Sequence, residues 1–433
     1  MFNVKGYRPS VKTEVIAGVT TFLTMAYVMV VNPLVLSQGG VPFEQAFTAT
    51  IIATLAGTLI MALFANYPIA VAPGMGLNAY FTYSLAQAHK GMDYHVAFSA
   101  VFISAIFFVL LSLTPLRSKL IQAIPYNLKH AIGAGIGLFI AFIGLRLTGL
   151  VQANPSTFVA LGNLHSPSVI LAVIGLVITL IFMVLNVRGA LFIGMLVTGL
   201  IAFLTGQIHF TKGIVSLPTL PAGIVAYNPV SAVSDIIHYG LYGAVFSFLL
   251  VTLFDATGTI LGLGKQAGLM EGDVLPRADR ALFADSAAAL IGSIFGTSPT
   301  SAYIESGAGI SAGGRSGLTA LVIAILFLVA AFFTPIISAI SSVDAITGPA
   351  LIIVGSLMIS NIRHVKWDNF DEAFPAFLVI LSMPLTSSIA TGLALGFIFY
   401  PLLKLVRGKW REVHPLIYVF GLLFLVQMAF FQP

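Results

Sequence analysis

Runs of apolar residues without a single formal charge recur along this chain. Residues 15–43, 94–116, 189–211 and 316–343 contain no Asp, Glu, Lys or Arg. The hydrocarbon core of a bilayer takes about 20 apolar residues per spanning helix. Backbone N–H and C=O groups in lipid must be satisfied within their own segment, which selects helices over open strands. A barrel would show alternation in segments of about ten residues instead. The pattern predicts helices at 15–36, 45–64, 76–88, 96–113, 130–150, 168–185 and 190–205, followed by a more polar stretch at 206–235. A second set follows at 236–263, 280–295, 301–312, 316–340, 345–362, 374–384 and 387–405, and a last apolar run covers 415–430. The expected fold class is an all-α polytopic membrane protein with about fourteen transmembrane segments. The final run is left open, as a further crossing or a helix along the interface.

Two segments break the pattern. Tyr67-Pro-Ile-Ala-Val-Ala-Pro-Gly-Met-Gly-Leu-Asn78 interrupts one apolar stretch, and Phe295-Gly-Thr-Ser-Pro-Thr-Ser-Ala-Tyr-Ile-Glu305 interrupts another. Each is an extended-looking piece followed by a small-residue helix start, and each falls third in its set of seven, hence third and tenth overall. Gly/Pro-broken segments at matching places in two halves point to a transporter's binding site. Because seven is odd, the second set enters the membrane from the opposite side. That predicts inverted repeats and two domains interleaved in sequence.

Composition agrees with a membrane protein: 58% of the 433 residues are hydrophobic and only 8% charged, where soluble domains carry roughly 25%. The net charge of +5 could suggest nucleic acid. Basic residues instead sit in short loops, at the N-terminus, Arg117/Lys119/Lys129, Arg188, Lys265/Arg277/Arg280, Arg315, Arg363/Lys366 and 404–411. With the N-terminus in the cytoplasm, all of these fall on the cytoplasmic side, as topology favours; no nucleic-acid partner is expected. The first helix lacks a cleavage site and is read as retained. Cysteine is absent, which excludes disulfides and thiolate metal sites. The eight His residues show no metal-ligand spacing, and no metal or cofactor is expected.

Ionisable groups within such segments usually face a cavity or a partner. Asp255 and Glu305 are the main candidates, while Arg146, Asp285 and Asp344 lie near enough to helix ends to reach an interface. Glu305 opens the second broken helix, whose free N–H groups suit a neutral ligand's carbonyl oxygens or ring nitrogens; the carboxylate accepts from ligand N–H groups. Asn78, at the first broken helix, offers both donor and acceptor. A planar heterocycle with alternating donors and acceptors fits this set. The alternatives are a Glu305–Arg315 pair or a helix cap, and an Asp255 bond to nearby hydroxyls that ties helices together. Neutralising a carboxylate in a bilayer is a task for a proton, so Glu305 or Asp255 is the expected proton carrier. Gly262-Leu-Gly-Lys265 lacks Walker spacing, and Gly133-Ala-Gly-Ile-Gly137 reads as a helix-packing surface.

Thr21-Phe-Leu-Thr-Met-Ala-Tyr27 with Asn32-Pro33, Ala72-Pro-Gly-Met-Gly-Leu-Asn-Ala-Tyr-Phe81 and Phe254-Asp-Ala-Thr-Gly-Thr259 resemble the AzgA-type purine permeases of the nucleobase:ascorbate transporter superfamily. So do Gly296-Thr-Ser-Pro-Thr-Ser-Ala-Tyr-Ile-Glu-Ser-Gly-Ala-Gly309, Ala312-Gly-Gly-Arg-Ser-Gly-Leu-Thr319 and Trp410-Arg-Glu-Val-His-Pro415. The resemblance implies proton symport of guanine, hypoxanthine or adenine across a bacterial-type plasma membrane, by an elevator motion and often in a homodimer. It implies a core domain (15–113 and 236–340) and a gate domain (130–205 and 345–405), with 1–14 as a cytoplasmic N-terminus and 406–433 as a C-terminal apolar segment. The family's acids fall on Asp255 and Glu305 and its amide on Asn78; Gly76, Ala302, Tyr303, Thr24 and Met25 lie in the same motifs as substrate-site candidates. A second family acid, three residues before Asp255, is here Thr252. A uracil or xanthine permease on the same fold and, from another class, an ion channel are the competing readings. A channel needs rings of carbonyls or charges, and no nucleophile–base–metal set supports an enzyme.

Overall fold

The structure, a computed structural model, describes residues 10–87, 92–114, 120, 123–208, 213–218, 229–272 and 274–430. The first apolar run forms α1 (Val11–Met25) and α2 (Val28–Gln38) rather than one helix. The chain tightens between them, where Met29 N–H bonds to Ala26 O at 3.2 Å and Val30 N–H to Tyr27 O at 3.1 Å. Then come α3 (Phe43–Ile60), running on into a wide turn at Met61–Ala65, β1 (Val71–Pro73), α4 (Met75–Ala79), widening at Tyr80–Ala86, and α5 (Tyr94–Ser112). Next are α6 (Tyr126–Leu147), a hairpin of β2 (Val151–Asn154) and β3 (Phe158–Leu161), α7 (Pro167–Val184) and α8 (Ala190–Leu204).

The second half begins with α9 (Pro229–Tyr239), a short amphipathic helix inside the stretch read as polar linker and across the expected start at 236. Gly240, at φ +65, separates it from α10 (Tyr242–Gln266). There follow α11 (Ala278–Phe295), β4 (Thr300–Ala302), α12 (Ser306–Ser311), α13 (Gly317–Ala330), α14 (Thr334–Ser341), α15 (Asp344–Met358), α16 (Phe370–Thr386), α17 (Ile389–Val406) and α18 (Pro415–Phe430). Among the described residues nine helices are long and apolar enough to cross a membrane, and Ala190–Leu204 and Pro415–Ala429 are shorter apolar helices. Helix length therefore identifies fewer crossings than the fourteen expected. Prolines and breaks explain part of the difference, since they divide apolar runs into short helices.

Packing follows two groups of helices. In one, α1 packs on α13 and α12, α3 on α11 and α13, and α5 on α9, α10 and α11. In the other, α6 packs on α15 and α16, α16 on α17, and α7 on α8 and α15. The glycine run on α6 does serve close packing: a Cβ on Gly137 would lie 2.8 Å from the Gly355 carbonyl, and one on Gly135 3.1 Å from the Val379 carbonyl. Asp285 is wholly buried in α11.

The basic tail loop contains a buried charge. Lys404, at the end of α17, is 3% exposed, and its Nζ lies 3.2 Å from Asp371, 3.0 Å from Glu372 and 3.2 Å from Glu412. Arg407 also pairs with Asp371. The cluster ties the start of α16 and the end of α17 to the turn before α18. Removing one member of a buried ion group leaves uncompensated charge, which typically costs about 3–5 kcal/mol. Lys404→Met should therefore destabilise the protein by about that amount, read as a lower melting temperature in detergent; an unchanged melting curve would refute the assignment.

Candidate functional site

The two broken segments meet. α3 with its wide turn ends at Asn66 (φ 57) and α11 at Gly296 (φ 87), so both helices stop in a left-handed residue and the chain runs on extended. Extended backbone inside a bilayer needs a partner, and here each broken segment supplies the other's. Val71 lies opposite Ala302, Ala72 opposite Ser301 and Pro73 opposite Thr300, in antiparallel register. Gly74 N–H donates to Pro299 O at 3.0 Å and Tyr303 N–H to Ala70 O at 2.9 Å. On the outer edge of β1, the Thr58 hydroxyl accepts from Val71 N–H and donates to Val71 O, both at 3.1 Å.

This pairing moves the start of the second short helix. Residues 301 and 302 are in β4, and α12 starts at Ser306 with Glu305 at its N-cap, correcting the helix expected at 301–312. The first N–H groups are also occupied: those of Ser306, Gly307 and Ala308 donate to the carbonyls of Tyr303, Ile304 and Glu305 at 3.0, 2.9 and 3.0 Å. Three of the donors expected to be free at this helix start are thus engaged by the turn that precedes it.

Glu305 Oε1 accepts from Tyr27 Oη at 2.7 Å, and the Glu305 backbone carbonyl accepts from Thr24 Oγ1 at 3.4 Å. Arg315 instead donates to the carbonyls of Ile310 and Gly314, at 2.5 and 2.7 Å, so the Glu305–Arg315 pair does not form. Nor does the Glu305 side chain cap α12. Asp255, in the middle of α10, lies against the Ser301 side chain and close enough to Glu305 for the two carboxylates to repel. Tyr303 stands beside both, with its hydroxyl donating to Pro73 O at 2.5 Å.

Asp255 is exposed and Glu305 half-buried. Gly258, Leu261, Gly262 and Lys265, on one face of the last turns of α10, are exposed as well, and Ile304 is 70% exposed. These residues form an exposed strip that runs from Asp255 toward Gln266. Gln266 Nε2 donates to Ser311 Oγ at 3.1 Å, and Gly313 lies against Thr13, so the exposed strip runs toward the end where α1 begins. The other half of α10 is closed by aromatic packing. Phe248 meets Tyr80 at 4.9 Å between ring centroids, and Phe246 meets Phe420 and Phe424 at 4.8 and 5.2 Å.

The remaining candidates are less exposed than Asp255. Asn78 is fully buried, its amide donating to Asn32 O at 3.2 Å. Asn32 in turn donates to Thr50 and Thr297 hydroxyls at 2.7 and 3.0 Å, so the amide belongs to a polar knot behind the strands. Thr252 is 2% exposed, its hydroxyl donating to Phe248 O at 2.7 Å within α10. Gly76 abuts Ile136 of α6, where a Cβ would not fit. Met25 and Ala302 are buried, and Thr24 is half-buried. Two residues next to the acids, Tyr27 and Ser301, escape a reading that searches for charge. Only the motif ending at Tyr27 hinted at the first.

The comparisons with known proteins agree with this architecture. The profile of the Permease family (Xan_ur_permease) matches residues 12–395. The chain is 61% identical to the guanine/hypoxanthine permease PbuO of Bacillus subtilis (strain 168), over 99% of each chain. It is 40% identical to the adenine permease AdeP of Escherichia coli (strain K12), over 99% of this chain and 95% of that one. In fold it resembles the transmembrane domain of the cyanobacterial bicarbonate transporter BicA, with TM-score 0.62 and 16% identity over 89% of this chain and 98% of that one. With its family profile spanning most of the chain and relatives matched end to end, the protein belongs to the Permease family, within the nucleobase:ascorbate transporter superfamily.

Proposed function

We propose that this chain imports purine nucleobases, with guanine and hypoxanthine first among them, by symport with protons. The relatives named for guanine/hypoxanthine and for adenine support the substrate class. The observation that carries the reading is the Asp255–Glu305 pair, two neighbouring carboxylates in broken or spanning segments, with no salt bridge to either among the described residues. Neighbouring like charges repel, and ligand N–H donors or a proton would relieve them. A neutral purine presents N–H groups for the carboxylates, while Tyr27 and Tyr303 bring flat apolar rings and hydroxyls. A channel reading finds no support in a single acid pair, and an anion would meet two carboxylates.

In this reading the group containing α1–α5 and α9–α14 is the moving core, and the group containing α6–α8 and α15–α17 is the gate. With the N-terminus in the cytoplasm, the exposed strip beside the acids lies toward the inner side, and the end of the broken α4 segment packs against the gate group at the outer side. There Ser84 donates to the Ser387 carbonyl, Tyr83 donates to Gln38 Oε1 at 2.5 Å, and Arg146 and Asp344 flank Tyr83.

The test is uptake of labelled guanine, hypoxanthine and adenine into proteoliposomes, with and without an inward proton gradient at fixed membrane potential. Saturable uptake of a purine, stimulated by the gradient, is expected. Uptake that ignores the gradient would remove the symport, and transport of uracil but no purine would remove the substrate class.

A further inference from the structure

We propose that a cavity at the basic end of the second helix group, remote from the carboxylates, binds a phosphate group carried by an anionic lipid headgroup or by a free phosphate. The cavity has a volume of about 580 Å³ and lies among the start of α6, the end of α17 and the start of α18. Its lining includes Lys129, Arg411, His414, Tyr126, Tyr400 and Glu412. The acid among them is already engaged: Glu412 pairs with Lys404 at 3.2 Å and with Lys409 at 3.7 Å. Lys129 and Arg411 have no carboxylate partner among the described residues. Two cations therefore line a cavity without a counter-charge of their own, an arrangement that suits a phosphate, which accepts several charge-assisted bonds at once.

Three further observations favour an anion. The Leu416 N–H donates to His414 Nδ1 at 3.3 Å, so in the neutral ring the proton sits on Nε2 and that nitrogen is a donor. Both α6 and α18 start at the cavity, and no side chain caps the first turn of α6; helix N-termini favour negative charge. Arg411 lies 5.1 Å over the Trp410 ring and Lys366 lies 5.9 Å over that of Tyr126, with Trp410 and Tyr126 both 53% exposed. Exposed Trp and Tyr beside cations mark the headgroup level of a membrane. That placement favours a lipid over a soluble source.

The test uses the full chain purified in neutral detergent, with binding followed by native mass spectrometry and by melting temperature. Phosphatidylglycerol, phosphatidylcholine and inorganic phosphate are added separately. Phosphatidylglycerol should bind and stabilise, and Lys129→Gln/Arg411→Gln should weaken that binding roughly tenfold or more. A control, Lys12→Gln/Lys265→Gln, removes the same charge elsewhere and should bind like the wild type. Stabilisation by inorganic phosphate that is lost in the double variant would support the site and assign it to a soluble anion. Equal binding of phosphatidylglycerol to both double variants and the wild type would overturn the proposal, as would no preference for either anion over phosphatidylcholine. A melting temperature of the Lys129/Arg411 variant in phosphatidylcholine matching the wild type shows that it folds; if it does not fold, Arg411→Gln alone carries the comparison.

Discussion

Glu305→Gln should abolish proton-stimulated uptake while leaving the fold intact. The amide keeps an oxygen to accept from Tyr27 Oη, now at 2.7 Å from the carboxylate, so local packing changes little. It loses the ability to take and release a proton. It also presents N–H groups where the proposed purine brings its own, exchanging an acceptor for a donor. A hydrogen bond to a charged group is worth about 1.5–3 kcal/mol, or roughly 10- to 150-fold in affinity. Uptake should fall by about that factor, and what remains should be indifferent to the gradient. Counterflow, which needs no net proton movement, separates the two losses: weak but measurable exchange is expected. Residual uptake that still follows the gradient would place the proton elsewhere, with Asp255 the first alternative.

Locking the closed end should stop transport reversibly. The natural chain contains no cysteine, so Ser84→Cys/Ser387→Cys creates the only thiols. Ser84, on the widened end of the α4 segment, already donates to the Ser387 carbonyl, which places the two residues in contact across the proposed core–gate boundary. If the core slides past the gate, these residues must part in every cycle. Oxidation should then reduce uptake by about tenfold or more, and reduction should restore it, because a disulfide constrains the separation of its Cα atoms to about 4.4–6.8 Å. Each single-cysteine variant should be insensitive to oxidant. Full transport by a chain shown to be cross-linked would exclude relative motion at this contact and with it the elevator reading.

Much of this architecture is legible along the chain because a bilayer imposes a one-dimensional rule. Apolar runs must be helical, and the interruptions at 67–78 and 295–305 stand out since lipid tolerates irregular backbone only when something else satisfies it. Asp255 and Glu305 stand out for the same reason: in segments almost free of charge, a carboxylate is costly and needs a purpose. Residue type and surroundings sufficed for both.

What the sequence could not decide depends on which segment meets which. The strand pairing of Val71 with Ala302 joins residues more than two hundred positions apart, and it shifts the helix start from 301 to Ser306, because residues 300–302 satisfy β1 before they can coil. The first N–H groups of that helix are taken up locally, by the carbonyls of Tyr303, Ile304 and Glu305. Tyr27 reads as an ordinary apolar-segment aromatic until folding brings Glu305 to its hydroxyl. Asn78 has the right chemistry for a ligand, and only its amide nitrogen is committed, to the Asn32 carbonyl. Lys404 counts among the topological cations of a loop, and only the approach of Asp371, Glu372 and Glu412 buries it as an ion cluster. Sequence by itself determined the class of fold, the two breaks and which acids are candidates, since these follow from local polarity against a uniform solvent. Tertiary structure decided their partners and which residues lie buried, since hydrogen bonds and burial depend on distances that no local pattern encodes.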